Sequence, residues 1–211
     1  GLEDLCEPSS MRLFRIYAAL ARGVGVDELA ALSGIKPWFI AQLKELVTLE
    51  QEIRACRGRE MPPELLVRAK RDGLSDAEIA SMLGVANHAI REQCDANGIR
   101  KTFQRLGHAL WYYATFHGPA QALPWPLPTP PGVLILGGGP GRIGQGQETD
   151  YACAHAARAL EKMGQTPVLV NCNPAAVVGM ARTDRMYLEP LTAEDILDIY
   201  MREEPLGMIL Q

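Results

Sequence analysis

The sequence from Val133 to Gly146 reads VLILGGGPGRIGQG, a short apolar run followed at once by a glycine-rich loop. The apolar run has the length and composition of a buried strand, and residues 148–163 have the pattern of a helix. A second short apolar run, PVLV, follows at residues 167–170. A strand, a glycine loop, a helix and a second strand in this order predict a βαβ unit with parallel strands.

The alternation of strands and helices continues towards residue 211. We expect an extended piece at residues 185–187, a helix from Thr192 to Arg202 capped by Thr192, and a strand at residues 207–211. Residues 133–211 are therefore predicted to form a Rossmann-like parallel α/β domain. A sheet that stops on an uncovered strand is unusual, so we expect the domain to be incomplete and the chain to be part of a longer protein.

The helix after the glycine loop has apolar positions at helical spacing. They are Tyr151, Ala154, Ala157 and the neighbouring Ala159 and Leu160.

The glycine loop matches G-x-G-x-x-G at Gly139, Gly141 and Gly144, in the context where dinucleotide-binding proteins carry it. Such proteins also have an acidic residue at the end of the second strand, which binds the ribose hydroxyls. Here residues 171–173 read NCN, so a nicotinamide cofactor is disfavoured. Two interpretations stay open: a tight turn that binds nothing, or a path for a small anion lined by backbone N–H groups and Arg142.

The segment before the sheet divides into two parts. Residues 1–116 have a helical pattern, and residues 117–132 (HGPAQALPWPLPTPPG) contain six prolines, too many for a helix interior or a central strand. We therefore predict a helical domain over 1–116, a Pro-rich linker over 117–132 and the Rossmann-like domain over 133–211. Helices are expected at residues 11–22, 27–32, 36–57, 64–72, 76–83 and 86–96.

Two aromatic residues, Trp38 and Phe39, stand near the start of the longest predicted helix. They are expected to be core or domain-interface anchors.

The helical part contains an internal echo. Residues 25–35 (GVDELAALSGI) resemble residues 73–85 (GLSDAEIASMLGV), and each stretch is followed by another predicted helix. This is the shape of a helix-turn-helix, so a DNA-binding regulator with an α/β ligand-sensing domain is an alternative. Residues 1–116 hold 15 basic and 15 acidic side chains, whereas a DNA-binding domain needs a basic surplus. We therefore favour the interpretation that the two similar stretches pack within the fold and do not bind DNA.

Composition excludes several classes of function. The chain has 21 Lys and Arg against 25 Asp and Glu, a net charge of −4 that disfavours nucleic acid as a partner. Its five cysteines form no CxxC pair and its four histidines have no metal-ligand spacing, which favours free thiols and no metal site. No apolar stretch approaches the roughly 18–20 residues of a membrane span, so we expect a cytoplasmic chain with no membrane partner.

Three motifs carry a resemblance to a known family. Residues 134–174 read LILGGGPGRIGQGQETDYACAHAARALEKMGQTPVLVNCNP, which closely resembles the segment that opens the second synthetase half of the carbamoyl phosphate synthetase large subunit. Residues 183–197 (TDRMYLEPLTAEDIL) resemble a downstream motif of the same family, and residues 34–50 (GIKPWFIAQLKELVTLE) resemble its helical oligomerisation domain. The family places these motifs in the same order.

The resemblance implies an ATP-dependent ligase that makes carbamoyl phosphate from bicarbonate and glutamine-derived ammonia, for arginine and pyrimidine biosynthesis. ATP, with Mg²⁺ or Mn²⁺ and K⁺, would bind to ATP-grasp domains that this sequence does not contain. The chain is thus implied to be a catalytically silent piece that binds no cofactor itself. Its implied partners are the rest of the large subunit, a small glutamine amidotransferase subunit and further copies in a homo-oligomer.

The resemblance also implies that the glycine loop borders an internal tunnel for carbamate. Gly146 stands where the family has its tunnel-lining glycine, and Ala175 replaces a family Glu reported in the tunnel wall. The residues implied to line the tunnel or contact an anion are Gly139, Arg142, Gly144, Gln145, Gly146, Asn173 and Ala175.

Overall fold

The chain divides between Gly98 and Ile99 into two compact units. In the computed structural model, residues 2–106, 111–118, 130–138, 146–173 and 185–210 are described. The fold is a mixture of helices and a largely parallel α/β sheet. Among the described residues, no helix combines the length and the apolar character needed to cross a bilayer.

The elements described in the first unit are helical. A 3₁₀ turn at Leu2–Leu5 precedes six α-helices: α1 (Arg12–Ala21), α2 (Val26–Ser33), α3 (Pro37–Arg54), α4 (Pro63–Arg71), α5 (Asp76–Leu83) and α6 (Asn87–Ala96).

Local sequence signals explain the limits of these helices. Proline occupies the first turn of both α3 and α4, where its missing N–H costs nothing. Ser75 and Glu78 form a reciprocal capping box at the start of α5, because each side chain bonds to the other residue's backbone N–H. Gly34 and Gly84 end α2 and α5 in the left-handed conformation, with φ of 68° and 75°. The predicted helices are confirmed to within a few residues at their ends.

The internal echo is part of a larger repeat with an offset of 50 residues, as the pairs Gly34/Gly84 and Gly23/Gly73 show. Helices α1–α3 form the first repeat and α4–α6 the second, with α2 and α5 matching over their whole length. Corresponding positions are buried alike, which means that both repeats use the same inward faces. Examples are Ile16 with Leu66, Ala19 with Ala69, Leu29 with Ile79, and Ile40 with Ile90.

In the described residues of the second unit there are one six-stranded sheet and two helices. Its strands are β1 (Thr102–Arg105), β2 (Trp111–Thr115), β3 (Val133–Leu136), β4 (Pro167–Val170), β5 (Met186–Tyr187) and β6 (Gly207–Ile209). Their order across the sheet is β1-β2-β5-β4-β3-β6. Only β1 and β2 pair antiparallel, and the other described pairs are parallel, as the strand–helix alternation predicted.

Helices α7 (Gln147–Lys162) and α8 (Ala193–Glu203) contribute to the cores on the two faces of this sheet. On one face, Leu134 and Val168 pack in a cluster with Ile199 of α8. On the other, Ile135 packs in a cluster with Cys153 of α7. Because both faces are covered, the central strands can be apolar at every position, which explains why VLIL and PVLV do not alternate with polar residues.

The prediction that residues 1–116 are helical is wrong for their last part. Residues 102–105 and 111–115 form β1 and β2, which pair with the sheet of the second unit. Their sequences, TFQR and WYYAT, are rich in Thr and aromatic residues, which favour strands over helices. Of the predicted linker, residues 119–129 lie outside the described residues, and the assignment of 117–132 as a linker stays a prediction.

Candidate functional site

The candidate site lies where β3 and β4 end at the same edge of the sheet. Gly137 and Gly138 follow β3, Asn171 to Asn173 follow β4, and Gly146 precedes α7. Polar side chains and backbone N–H groups gather at this edge because parallel strands present their carboxyl ends together.

Close packing at this edge requires glycine at position 137. Gly137 donates its N–H to the carbonyl of Val170 at 2.8 Å, which continues the β3–β4 pairing. A Cβ on Gly137 would lie only 2.7 Å from Nδ2 of Asn171. Any larger residue would therefore displace Asn171 or widen the end of the sheet.

A buried polar pair joins α7 to the end of β4. Asn171 is 1% exposed and Asp150 is 5% exposed, and Nδ2 of Asn171 donates to Oδ1 of Asp150 at 2.6 Å. Oδ1 of Asn171 in turn accepts the backbone N–H of Asn173 at 2.8 Å. The two side chains thus hold the first turn of α7 against the NCN segment, with both buried groups hydrogen-bonded.

The first turn of α7 is acidic, since it contains Glu148 and Asp150. Helix N-termini bind phosphate because their free N–H groups and the helix dipole present positive charge. Here two carboxylates already occupy that field, so an incoming phosphate would meet like charge. The geometry therefore argues further against a dinucleotide site at this loop.

The predicted site residues fall partly inside the described structure. Gly146 caps α7 with φ of 83°, in the left-handed region that favours glycine, and no atom of the described residues would lie within 4 Å of a Cβ there. Asn173 lies at the edge through its bond to Asn171. The others, Gly139, Arg142, Gly144, Gln145 and Ala175, lie outside the described residues.

Sequence reasoning missed the Asp150–Asn171 pair. It counted Tyr151 among the apolar positions of α7, but Tyr151 is 53% exposed and stacks beside His155 on the surface, with ring centroids 4.3 Å apart. The buried stripe includes Asp150, Ala154 and Ala157, which follow the i, i+4, i+7 spacing. The sequence signal that could have predicted the pair is the position of Asp150, because its spacing from Ala154 and Ala157 places its carboxylate on the buried side of the helix, where it needs a polar partner.

Two thiols at this edge lie near backbone carbonyls. Cys153 donates to the carbonyl of Leu136 at 3.5 Å, and Cys172 to that of Gly138 at 3.8 Å. Burial, and secondarily the charge of Asp150, raise the pKa of Cys153, which keeps the thiol protonated. Both cysteines therefore contact backbone carbonyls that follow or end β3.

A second buried polar cluster stabilises the same unit away from this edge. Nη1 of Arg185 lies 2.7 Å from Oε2 of Glu203, and the other oxygen of Glu203 accepts the hydroxyl of Tyr187. Nε of Arg202 donates to Tyr187 at 3.1 Å, and its guanidinium lies 4.8 Å from the ring centroid of Phe103. Burial, followed by the charge of Glu203, raises the pKa of Tyr187. This cluster connects β5, α8 and β1.

A third cluster surrounds Glu189, which is 6% exposed and accepts the backbone N–H of Ala114 in β2. Burial raises the pKa of Glu189 to about 7, although the Ala114 N–H and Lys101 oppose the shift. Lys101 pairs with Asp195 and lies 3.8 Å from Asp198. Among the described residues, no group of three or more His, Cys, Asp or Glu side chains could hold a metal ion.

Comparison with known families accounts for both units. Residues 2–98 match the oligomerisation domain of the carbamoyl-phosphate synthetase large chain, and residues 129–211 match the carbamoyl phosphate synthase preATP-grasp domain. The chain belongs to the carbamoyl phosphate synthase large-chain family. The boundary between the units at Gly98 coincides with the end of the first matched domain.

Relatives of this large-chain family align with nearly the whole sequence. A carbamoyl phosphate synthase large chain of Halomonas eurihalina is 39% identical over 209 residues, which cover 95% of this chain and 19% of the relative. Those of Vibrio cholerae and Archaeoglobus fulgidus are 37% and 36% identical, and each alignment covers 99% of this chain and 20% of the relative. The chain thus spans about a fifth of the length of the large chains it matches. Neither the matched domains nor these relatives support the helix-turn-helix alternative.

Proposed function

We propose that the chain is the central, non-catalytic part of a carbamoyl phosphate synthase large chain. The whole enzyme would make carbamoyl phosphate from bicarbonate, glutamine-derived ammonia and ATP, for arginine and pyrimidine biosynthesis. The observation that carries the proposal is that two domains of one family match in succession, over residues 2–98 and 129–211. Relatives that share this order align with 95–99% of the chain.

In this proposal the first unit associates subunits, and the second unit positions the neighbouring synthetase half. The absence of catalysis by the chain itself is supported by the use of its buried polar groups. Asp150 and Asn171 bond to each other, and Arg185 bonds to Glu203 and, through Nη2, to the carbonyl of Pro130 at 2.9 Å. These groups hold elements together and are not directed at a substrate. ATP, Mg²⁺ or Mn²⁺, and K⁺ would bind to ATP-grasp domains of the whole enzyme.

We further propose that the glycine loop borders the path of carbamate between the active sites. Gly146 supports this, because its φ of 83° favours a residue without a side chain at this position. The proposed lining comprises the loop members Gly139, Arg142, Gly144 and Gln145, together with Asn173 and Ala175. Alanine at position 175, where the family has Glu, would make that lining less polar.

The proposed partners are the remaining large-chain domains, a small glutamine amidotransferase subunit and further copies of the same chain. A cytosolic setting is supported by the five free cysteines, of which Cys56, Cys94 and Cys153 are buried.

A chimaera tests the proposal directly. This sequence replaces the matching 209-residue stretch of the Halomonas eurihalina large chain, and glutamine-dependent carbamoyl phosphate formation is measured with the amidotransferase subunit present. We expect activity in the chimaera and none in a control in which the stretch is replaced by a flexible linker. A folded chimaera with no more activity than the control would contradict the proposal. The isolated chain should hydrolyse no ATP.

A further inference from the structure

Exposed apolar residues follow one side of α1 from its N-cap residue, Met11, and the exposed Arg15 and Arg22 border them. Met11, Phe14, Ala18 and Ala21 are all exposed, with Met11 and Phe14 at 53% and 64%. They follow one another at spacings of three, four and three residues, which places them on one side of the helix. These four residues are called the α1 stripe below.

The corresponding face of α4 in the second repeat is exposed to solvent and charged. Fifty residues on, in α4, the positions of Phe14, Ala18 and Ala21 are taken by Glu64, Arg68 and Arg71, and all three are exposed. Arg68 forms a surface ion pair with Glu52 at 2.8 Å. The three-helix repeat therefore accepts charged residues at the positions of Phe14, Ala18 and Ala21. The counterpart of Met11 is Met61, which is apolar and buried, so the contrast concerns these three members of the stripe.

The same contrast recurs at the start of α3. Trp38 and Phe39 are 63% and 56% exposed, with ring centroids 4.9 Å apart. They are therefore not core residues, and the predicted role as domain-interface anchors stays a prediction. Their counterparts in the second repeat, His88 and Ala89, are polar or small. Trp38 and Phe39 lie on α3, which packs on α1, and the matching positions of the duplicate hold no large apolar side chain.

We infer that the α1 stripe is the surface through which two copies of this chain associate, with their α1 helices antiparallel about a twofold axis near Ile16. The inference rests on the proposed association function and assigns its contact surface. The large members of the stripe, Met11 and Phe14, lie towards one end of α1, and the small ones, Ala18 and Ala21, towards the other. An antiparallel copy brings each large side chain opposite an alanine, which is the self-complementarity that a twofold interface requires.

Charge at the margin of the stripe does not oppose this arrangement strongly. Arg15, which borders the stripe, has Asp4 3.7 Å away, so part of its charge is balanced within its own copy. Small residues in the second half of α1 let the two backbones approach closely, as helix pairs with interdigitating side chains require.

The test uses the whole chain and introduces at two stripe positions the residue types that the second repeat has there, Glu64 and Arg68. Phe14→Glu and Ala18→Arg are each measured by sedimentation equilibrium from low to high micromolar concentration, with circular dichroism as a check on folding. We expect the unmodified chain to dimerise, and each variant to raise the dimer Kd roughly tenfold or more. Met163→Glu is the matched control, because Met163 is 73% exposed in the other unit and its change should leave the Kd unaltered.

A mixture of the two variants makes the test specific. In the antiparallel pair, the carboxylate introduced by Phe14→Glu in one copy faces the guanidinium introduced by Ala18→Arg in the other, and the second contact keeps the native Phe14 and Ala18. The mixture should therefore recover dimers that neither variant forms alone, and failure to recover them overturns the antiparallel pairing. If the chain dimerises and Phe14→Glu has no effect, the α1 stripe is not the interface, although association stands. If the unmodified chain stays monomeric throughout, the proposed association function itself fails.

Discussion

The ion pair between Arg185 and Glu203 should be far more important for stability than a surface pair of equal length. The two side chains are 9% and 0% exposed, and their N···O distance is 2.7 Å. Glu203→Gln keeps the shape and removes the charge, so the buried guanidinium of Arg185 loses its carboxylate. Tyr187, which donates its hydroxyl to the same carboxylate, also loses a charged acceptor.

The size of the effect follows from burial. Removing one partner of a buried pair costs about 3–5 kcal/mol, because the remaining charge stays in a poorly solvated place. The pair between Arg68 and Glu52 is almost as short, at 2.8 Å, but its side chains are 46% and 43% exposed. Glu52→Gln should therefore cost less than about 1 kcal/mol.

Urea unfolding followed by tryptophan fluorescence can measure the effect of Glu203→Gln in its own unit. In a Trp38→Phe background, the remaining tryptophans, Trp111 and Trp125, both belong to residues 99–211 and report on the second unit. Glu52→Gln lies in the first unit, so circular dichroism of the same samples follows its unfolding. Equal losses below about 1 kcal/mol for the two variants would refute the argument that burial decides the strength of these pairs.

Three further predictions concern the second unit. Gly146→Ala should cost about 1–2 kcal/mol of unfolding free energy, because alanine is strained at a φ of 83°, and a loss near zero in urea unfolding would refute this. Gly137→Ala should cost more than Gly146→Ala, since its Cβ would lie 2.7 Å from Nδ2 of Asn171, and hydrogen exchange at the start of α7 should accelerate. For Glu189, the folded-state pKa of about 7 lies above its ordinary value, so the folded chain holds a proton that the unfolded chain has lost. Stability should then fall by about 1–3 kcal/mol as the pH rises from 5 to 8, and Glu189→Gln should flatten that slope in unfolding curves.

Much of the fold could be predicted from the sequence because its elements carry strong local signals. The strand at residues 167–170 was predicted with the limits it has, and Thr192 caps α8 as expected by accepting the N–H of Asp195 at 3.2 Å. Gly34 also ends α2 as a left-handed cap. Each of these features depends on residues only a few positions apart, so a single sequence contains the information.

The failures share a different origin. The strands β1 and β2 are short and polar at several positions, and their stability comes from pairing with each other and with β5, a strand about 70 residues later in the chain. The partners of Asp150 and Glu189 are likewise 21 and 75 residues away in sequence. Local patterns cannot indicate such contacts, because the period of one element does not identify the element that it pairs with.

For surface residues, the duplication within the first unit supplies information that local patterns lack. A single sequence has no internal reference for which exposed apolar residues are incidental, because folded proteins expose many of them. Two copies of one fold in the same chain provide that reference: a position that is charged in one repeat and apolar in the other is under no constraint from the shared fold. Phe14 facing outward where Glu64 stands in the duplicate therefore indicates an external contact, and the burial of Ile16 and Leu66 alike indicates the common core. The same comparison explains why the echo resembled a helix-turn-helix in the sequence. The echo consists of positions that both repeats share, and these positions pack the helices together. Contacts that are specific to this unit are made by positions at which the repeats differ.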